Sequence, residues 1–513
     1  MADDQLRLAD LLAALSLTTD LAMGQAPEKA IRACVVATEA ARRLNLPEPD
    51  VATTYYTTLL KHLGCTASSH EEVVLFGPDD LSMREVAERT DVARGREMAT
   101  LMGLTGRGTG LRRPAYLLRA LAAGKEADAS VMRATCEVAA LMAERLGLGD
   151  DVRRAVHENL ERWDGKGAPQ KLRGDEIAIA ARIAEPAMQS VIYHRLGGAE
   201  AVAAMIERRA GGWFDPAVAG VVREIAPIVL DRLDQEDPWT AVLEAEPEPV
   251  RVIPRNRLDP VAEAFADMVD LKSAYTLGHS SGVADLAVAG AERIGLPDAG
   301  SVRRAALLHD LGRTAVGTGV WERPGRLSTA QWEEVRLHAY QTERILARSS
   351  TLQPLARIAG MHHERQDGSG YHHGAAASGI PPEARLLAAA DVFQAVTQDR
   401  PHRPGRSSQE AAEVVTAEAR DGRLDPECAR GVVEAAGHRP AGARTGWPAG
   451  LSDREIEVIR LVARGLSNRA LAEALVISPR TAEHHVQHIY GKLGVSTRAA
   501  AAMFAMEHGL LRQ

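Results

Sequence analysis

Residues 55–67 read YYTTLLKHLGCTA, and residues 303–315 read RRAALLHDLGRTA. The last nine positions match at six, and Lys61-His62 of the first stretch stands opposite His309-Asp310 of the second. Two further echoes keep the same order along the chain. EAARRLNLPEPD (39–50) resembles AGAERIGLPDAG (289–300), and ERWDGKG (161–167) resembles ERQDGSG (364–370). Ordered echoes of this kind mark a duplicated domain. The chain must therefore build two related units, the first with roughly 45 extra residues between its second and third echoes.

A chain of 513 residues is too long for one core, and three domains is the expectation from length. Apolar residues recur at spacings of three and four, as in VAALMAERLGL and IEVIRLVARGL, which predicts helices throughout. EEVVLFG is the best strand candidate, and aromatic content of 4% disfavours a sheet-rich core. Two stretches read as linkers: the proline-punctuated 244–260 and the Gly/Pro-rich 437–448. The expected domains are thus 1–243, 258–436 and 449–513. A net charge of −8 excludes bulk coating of nucleic acid but leaves room for a small DNA-reading module. Four scattered cysteines without a CxxC pair read as reduced and buried in a cytoplasmic protein. The acidic N-terminus does not read as a signal peptide, and no apolar run reaches the roughly 18 residues of a membrane span.

Residues 279–373 hold seven of the chain's 17 histidines. His279, His309, Asp310, His338, His362, His363 and Asp391 each lie in or beside an apolar helical segment. An unpaired buried carboxylate is very costly, so such a set is reasonable only around a cation. The mixed N/O donors suit Fe, Mn, Zn or Ni rather than Ca. Seven ligands exceed the need of one tetrahedral ion, and two ions bridged by Asp310 is the economical reading.

Residues 258–436 resemble the HD-GYP branch of the HD metal-phosphohydrolase superfamily. The resemblance rests on YTLGHSSGVADLA, ALLHDLGRTAVG, RPGRLSTAQWEEVRLHAYQTERIL, MHHERQDGSGYHHG and IPPEARLLAAADVFQAVTQDRPHRP, in the family's order. It implies an all-α bundle with a two-metal centre that hydrolyses cyclic dinucleotides, typically cyclic di-GMP. Carried over, one ion takes His279, His309, Asp310 and Asp391; the other shares Asp310 and takes His338, His362 and His363. Asp310 and Arg313 are the implied catalytic positions. Arg313, Arg323, Asp367 and Tyr371 are the implied substrate contacts, both arginines standing where the family usually has Lys. The naming Gly-Tyr-Pro motif is Gly370-Tyr371-His372 here, and RPYR is RPHR with His402. These departures bear on the substrate more than on the metal.

Against this template the first copy has lost its ligands. Lys29, Lys61 and His62 stand opposite His279, His309 and Asp310. Cys136 falls near His338, Asn159 and Leu160 face His362 and His363, and AEPAMQS offers no Asp opposite Asp391. An ammonium at a ligand position repels a divalent cation. His157 and Asp164 remain nearby without making a metal set. The first copy is expected to keep the fold and bind no metal.

The last 65 residues read as four short helices. Ser452 and Glu455 form a capping box, Gly465 ends the first helix, and Ser467 and Ser478-Pro479 start the next two. LSDREIEVIRLVARGLSNRALAEAL through TAEHHVQHIYGKLGV resembles the LuxR-type helix-turn-helix domain. That resemblance places the third helix in the major groove. Arg480, Thr481, His484 and Lys492 become phosphate contacts, and Gln487 and His488 reach bases or phosphates. Glu483 stands where the family often has Lys. Such domains bind as dimers, so a homodimer on promoter sites is expected.

The fold expectation is all-α: two tandem HD-like domains, then a four-helix LuxR-type domain. The functional expectation is a cytoplasmic transcription regulator carrying a two-metal phosphohydrolase that acts on a cyclic dinucleotide or another nucleotide. The alternative keeps DNA binding and makes the metal domain a sensor without turnover. A DNA-guided nuclease is a third reading, with nothing in the sequence pointing to a groove for a polymer.

Overall fold

The computed structural model describes residues 5–92, 94–437 and 447–511. Among the described residues the regular elements are helices apart from one short antiparallel pair, Gln5–Arg7 with Val252–Pro254, and two isolated bridges. EEVVLFG, the best strand candidate, lies instead in the helix Ser69–Phe76. Glu71 and Glu72 sit in its first turn, where a negative charge favours the helix dipole, and this local gain outweighs the β-branched pair. The segment 438–446, the heart of the expected second linker, lies outside the described residues. No described helix is long and apolar enough to cross a membrane.

The chain divides into two compact units, Met1–Leu258 and Asp259–Gln513. In the first, segment 244–257 is docked rather than loose. Glu246 is buried and accepts hydrogen bonds from Tyr56 Oη and Arg7 Nε, both at 2.6 Å. The proline-rich composition that stops a helix here does not stop packing.

Each unit repeats the same helical frame. Lys29–Arg43, Glu48–Leu59, Asp150–His157 and Pro216–Leu233 in the first correspond to His279–Ile294, Ala299–Leu308, Gln353–Gly360 and Pro426–Gly437 in the second. Two clamps recur. Asp20 accepts from Ala30 N at 3.2 Å, and Asp270 accepts from Ser280 N at 2.9 Å; each secures the start of the helix carrying Lys29 or His279. Arg182 pairs with Asp215 at 2.9 Å, and Arg385 with Asp425 at 3.3 Å.

A third shared device sets the distance between the HD turn and the next long helix. A Cβ on Gly312 would lie 2.0 Å from His338 O, and one on Gly64 would lie 1.8 Å from Thr135 O. Only glycine permits that approach. It places Thr135, next to the expected Cys136, opposite His338. The roughly 45-residue insertion forms the helices Ser69–Phe76, Asp80–Glu88 and Gly95–Leu104 and extends the helix Arg113–Arg145.

The C-terminal helices are Asp453–Ala463, Asn468–Leu475, Pro479–Leu493 and Arg498–Glu507. Ser452, Ser467, Ser478 and Thr497 cap them, each accepting from a backbone N–H three residues on. Ala482, Val486 and Ile489 of the third helix pack on Ile456, Ile459 and Leu471, with Leu493 half-buried beside them.

Candidate metal centre and DNA-facing helix

His279 begins its helix under the grip of Asp270, whose carboxylate also accepts from Ser280 Oγ at 2.9 Å. Burial pushes Asp270 up to about 8, against the Ser280 hydrogen bonds. His309 and Asp310 close the helix Ala299–Leu308, which Asp298 caps through Ser301 N. Thr342 Oγ1 accepts from Gly312 N and donates to His309 O, both at 2.9 Å, locking that turn to the helix Thr329–Leu346 that bears His338. His362 and His363 follow Gln353–Gly360, and Asp391 lies within Pro382–Thr397.

The four most buried histidines are oriented alike. Each directs Nδ1–H at an oxygen: Gln398 Oε1 for His279 (2.8 Å), Ala306 O for His309 (2.7 Å), Val335 O for His338 and Ala359 O for His362 (2.6 Å). That bond selects the tautomer whose Nε2 carries a lone pair, and all four lone pairs turn inward. Around them the carboxylate of Asp310 faces two ways. Oδ2 lies 3.6 Å from His279 Nε2 and 3.3 Å from His309 Nε2. Oδ1 lies 3.5 Å from His338 Nε2 and 3.7 Å from His362 Nε2. Asp391 Oδ1 is 3.1 Å from His279 Nε2, and its Oδ2 is 3.8 Å from His363 Nδ1. All seven sequence-chosen side chains are thus gathered, in overlapping triads such as His279–His309–Asp391 and His338–His362–His363.

The donor set fits divalent transition ions. Among the described residues His309 Nε2 is buried without a hydrogen-bond partner, and the Nε2 atoms of His338 and His362 face one another at 3.1 Å. Two lone pairs at that separation repel unless a cation lies near them. Burial opposes charge on His309, yet Asp310 and Asp391 raise it to about 9: the two carboxylates draw positive charge to this spot, which a proton on Nε2 or a divalent ion in its place would supply.

Beside the cluster opens a cleft of about 780 Å³, ample for a nucleotide. Arg313, Arg323, Arg326 and Arg400 line it, with Tyr275, Trp321, Trp332 and Tyr371. Arg313 pairs with Asp310 Oδ2 at 2.6 Å and stacks on Trp321, 4.3 Å from the ring centre. Arg323 reaches Gln331 Oε1 at 2.9 Å, and the Tyr371 ring packs 4.8 Å from His363. Asp367 is not in the cleft; its carboxylate is exposed and accepts from Ser369 N and Oγ at 2.9 and 2.6 Å. It shapes a turn, because an Asx turn satisfies it locally. Arg400 was missed by sequence reasoning, as were Asp270 and Gln398. Burial and Arg313 push Arg400 down to about 10, so it stays charged at neutral pH.

The corresponding region of the first copy holds its own charges. Lys29 pairs with Glu88, His62 Nε2 lies 2.9 Å from the same Glu88 oxygen, and Lys61 pairs with Glu185 at 2.8 Å. Asn159, opposite His362, donates to Lys61 O at 3.2 Å. Burial, joined by Lys29, lowers His62 to about 4. Two buried ammonium groups occupy the ligand positions, and Glu88 of the insertion neutralises one of them. No metal-type triad forms there among the described residues.

In the C-terminal unit Arg480, Thr481, Glu483, His484, Gln487, His488 and Lys492 are all exposed on the third helix. Three are already engaged: Thr481 Oγ1 lies 2.8 Å from Ser478 Oγ, and the other two meet Glu455. His488 Nδ1 and Lys492 Nζ contact opposite oxygens of Glu455 at 2.8 and 2.7 Å, and Lys492 also donates to Gly450 O at 2.9 Å. Against the opposing effect of burial, Lys492, Ser452 and His488 hold Glu455 down to about 2.

The chain matches the family described as "HD domain" over residues 110–218 and 263–428. Residues 449–505 match "Bacterial regulatory proteins, luxR family". The 3'3'-cGAMP-specific phosphodiesterase 3 of Vibrio cholerae serotype O1 is 31% identical over 444 residues, 83% of this chain and 94% of that protein. The cyclic di-GMP phosphodiesterase PA4108 of Pseudomonas aeruginosa is 37% identical over 187 residues, 35% of this chain and 44% of its own length. A crystal structure of a cyclic GMP-AMP specific phosphodiesterase of V. cholerae (V-cGAP3) superposes with a TM-score of 0.60 at 28% identity, covering 85% of this chain and 99% of that one.

Proposed function

Because this chain belongs to the HD-domain family and ends in a luxR-family regulatory domain, we propose that it is a cytoplasmic, DNA-binding regulator whose second HD copy is a two-metal cyclic-dinucleotide phosphodiesterase. The carrying observation is the convergence of seven side chains with four imidazole lone pairs turned inward. His279, His309, Asp310 and Asp391 would hold one ion; Asp310, His338, His362 and His363 the other. Divalent cations there supply Lewis acidity and depress the pKa of water near neutral pH.

The chain's own residues do the rest. Arg313, Arg323, Arg326 and Arg400 bind the phosphodiester and offset charge growing on its oxygens. Trp321 keeps the Arg313 guanidinium flat by stacking, and its Nε1 donates to Arg313 O at 3.2 Å. Tyr371 and Trp332 supply faces on which a base stacks. The relative that spans most of this chain acts on 3'3'-cGAMP by its name, which makes that nucleotide the first substrate to test.

Incubation of the full chain with Mn²⁺ or Fe²⁺ and each 3'3'-linked cyclic dinucleotide tests the reading. Linear product from wild type and none from Asp310→Ala supports it; no product from any of them removes it. The Arg313–Asp310 pair favours a second reading, in which an internal cation holds the bridging carboxylate and the domain senses nucleotide without cleaving it. Tight binding without turnover distinguishes that case. DNA binding by a homodimer on promoter half-sites completes the proposal.

A further inference from the structure

Of the Gly-Tyr-His-His sequence at 370–373, Tyr371 lines the cleft but neither His372 nor His373 does. Both imidazoles turn instead to Glu343, five residues beyond His338 on the same helix. His372 Nε2 and His373 Nε2 lie 3.1 and 2.7 Å from one oxygen, Glu343 Oε2. The two rings are 4.0 Å apart, and the ligand atoms of all three residues lie within 4.8 Å of one another. Hydrogen bonding does not complete this cluster, since His372 Nδ1 is buried with no partner among the described residues. Burial and His373 lower His372, which favours the uncharged ring over the imidazolium.

The duplication supplies an internal comparison. Gly370 corresponds to Gly167, each folded tightly onto the preceding Glu-Arg, so His372 and His373 stand opposite Pro169 and Gln170. Glu343 stands opposite Ala140 by the Gly312–His338 and Gly64–Thr135 register. One helix position and two adjacent loop positions carry metal-ligating residue types in one copy, and none of the three does in the other.

We infer that Glu343, His372 and His373 form an accessory binding site for a borderline divalent ion such as Zn²⁺, Ni²⁺ or Co²⁺, separate from the main cluster. Two imidazoles and a carboxylate are a known ligand set for such ions, with remaining positions taken by water. The site joins the loop carrying Tyr371 to the helix carrying His338, and its partial exposure makes its ion the more exchangeable. Equilibrium dialysis of the tag-free full chain against Zn²⁺, with metal counted per chain, tests this. Wild type should hold one ion more than both His372→Asn/His373→Asn and Glu343→Gln, each checked for an unchanged thermal melt. The difference of one should persist in an Asp310→Ala background, whatever the main cluster then holds. Equal counts in wild type and in both variants overturn the inference. So does a difference that vanishes with Asp310→Ala, which assigns the ion to the main cluster.

Discussion

Asp310 is the residue on which the most contacts converge, and its neighbours show how a histidine cluster is held ready. Gln398 fixes His279 from 119 positions away. Removing such an outer partner costs roughly 10–100-fold in metal affinity or activity. Gln398→Leu should therefore weaken metal binding by that factor while leaving the fold intact, as a competition titration with a chelating dye will show. In the luxR-family domain, Glu455 falls from an ordinary 4.5 to about 2. A depressed carboxylate adds stability that is present above 4.5 and is lost as pH falls toward 2. Acid unfolding of the domain should track that window, and Glu455→Gln should flatten it. The seven gathered side chains were legible because each sits at a fixed place on or beside an apolar helix. Asp270, Gln398 and Arg400 were not, since a lone Asp, Gln or Arg carries no spacing signal and acts only through the tertiary fold. Asp367 misled for the opposite reason, its motif position being satisfied within its own turn.

At the scale of elements, the repeated turn is the unit of comparison. The same glycine brings the same two helices together in both copies, and what differs is the charge placed at the junction. Gly312→Ala should force that junction apart and cost about 1–3 kcal/mol, as overpacking does; urea denaturation measures it. In the first copy the buried Lys29–Glu88 pair is expected to obey the asymmetry of buried ion pairs. Glu88→Ala leaves an uncompensated ammonium and should cost about 3–5 kcal/mol, whereas adding Lys29→Met should recover most of the loss. That Lys29, Lys61 and His62 stand where the second copy has His279, His309 and Asp310 was readable from the sequence. Their neutralisation was not, because Glu88 comes from the insertion and Glu185 from a helix more than a hundred residues on. Helical periodicity likewise named the elements well, but short apolar runs such as EEVVLFG fit strand or helix equally until packing decides.

At the scale of the whole molecule, one chain carries a nucleotide-processing candidate, a charge-filled duplicate and a luxR-family regulatory domain. If nucleotide binding shifts DNA affinity, then DNA must shift nucleotide affinity by the same factor. Fluorescence anisotropy on a promoter fragment, with and without saturating nucleotide and its reverse, should return matching ratios. The central claim, however, is that the second copy cuts a cyclic dinucleotide with metal held by its seven gathered side chains. The most direct measurement is single-turnover hydrolysis of 3'3'-cGAMP by the metal-loaded full chain, beside a His309→Ala/Asp310→Ala variant with unchanged helicity. Linear dinucleotide from wild type, with the variant at least roughly 10³-fold slower, is the predicted result. Equal rates in the two proteins, or an inert wild type with its ions bound, would contradict it.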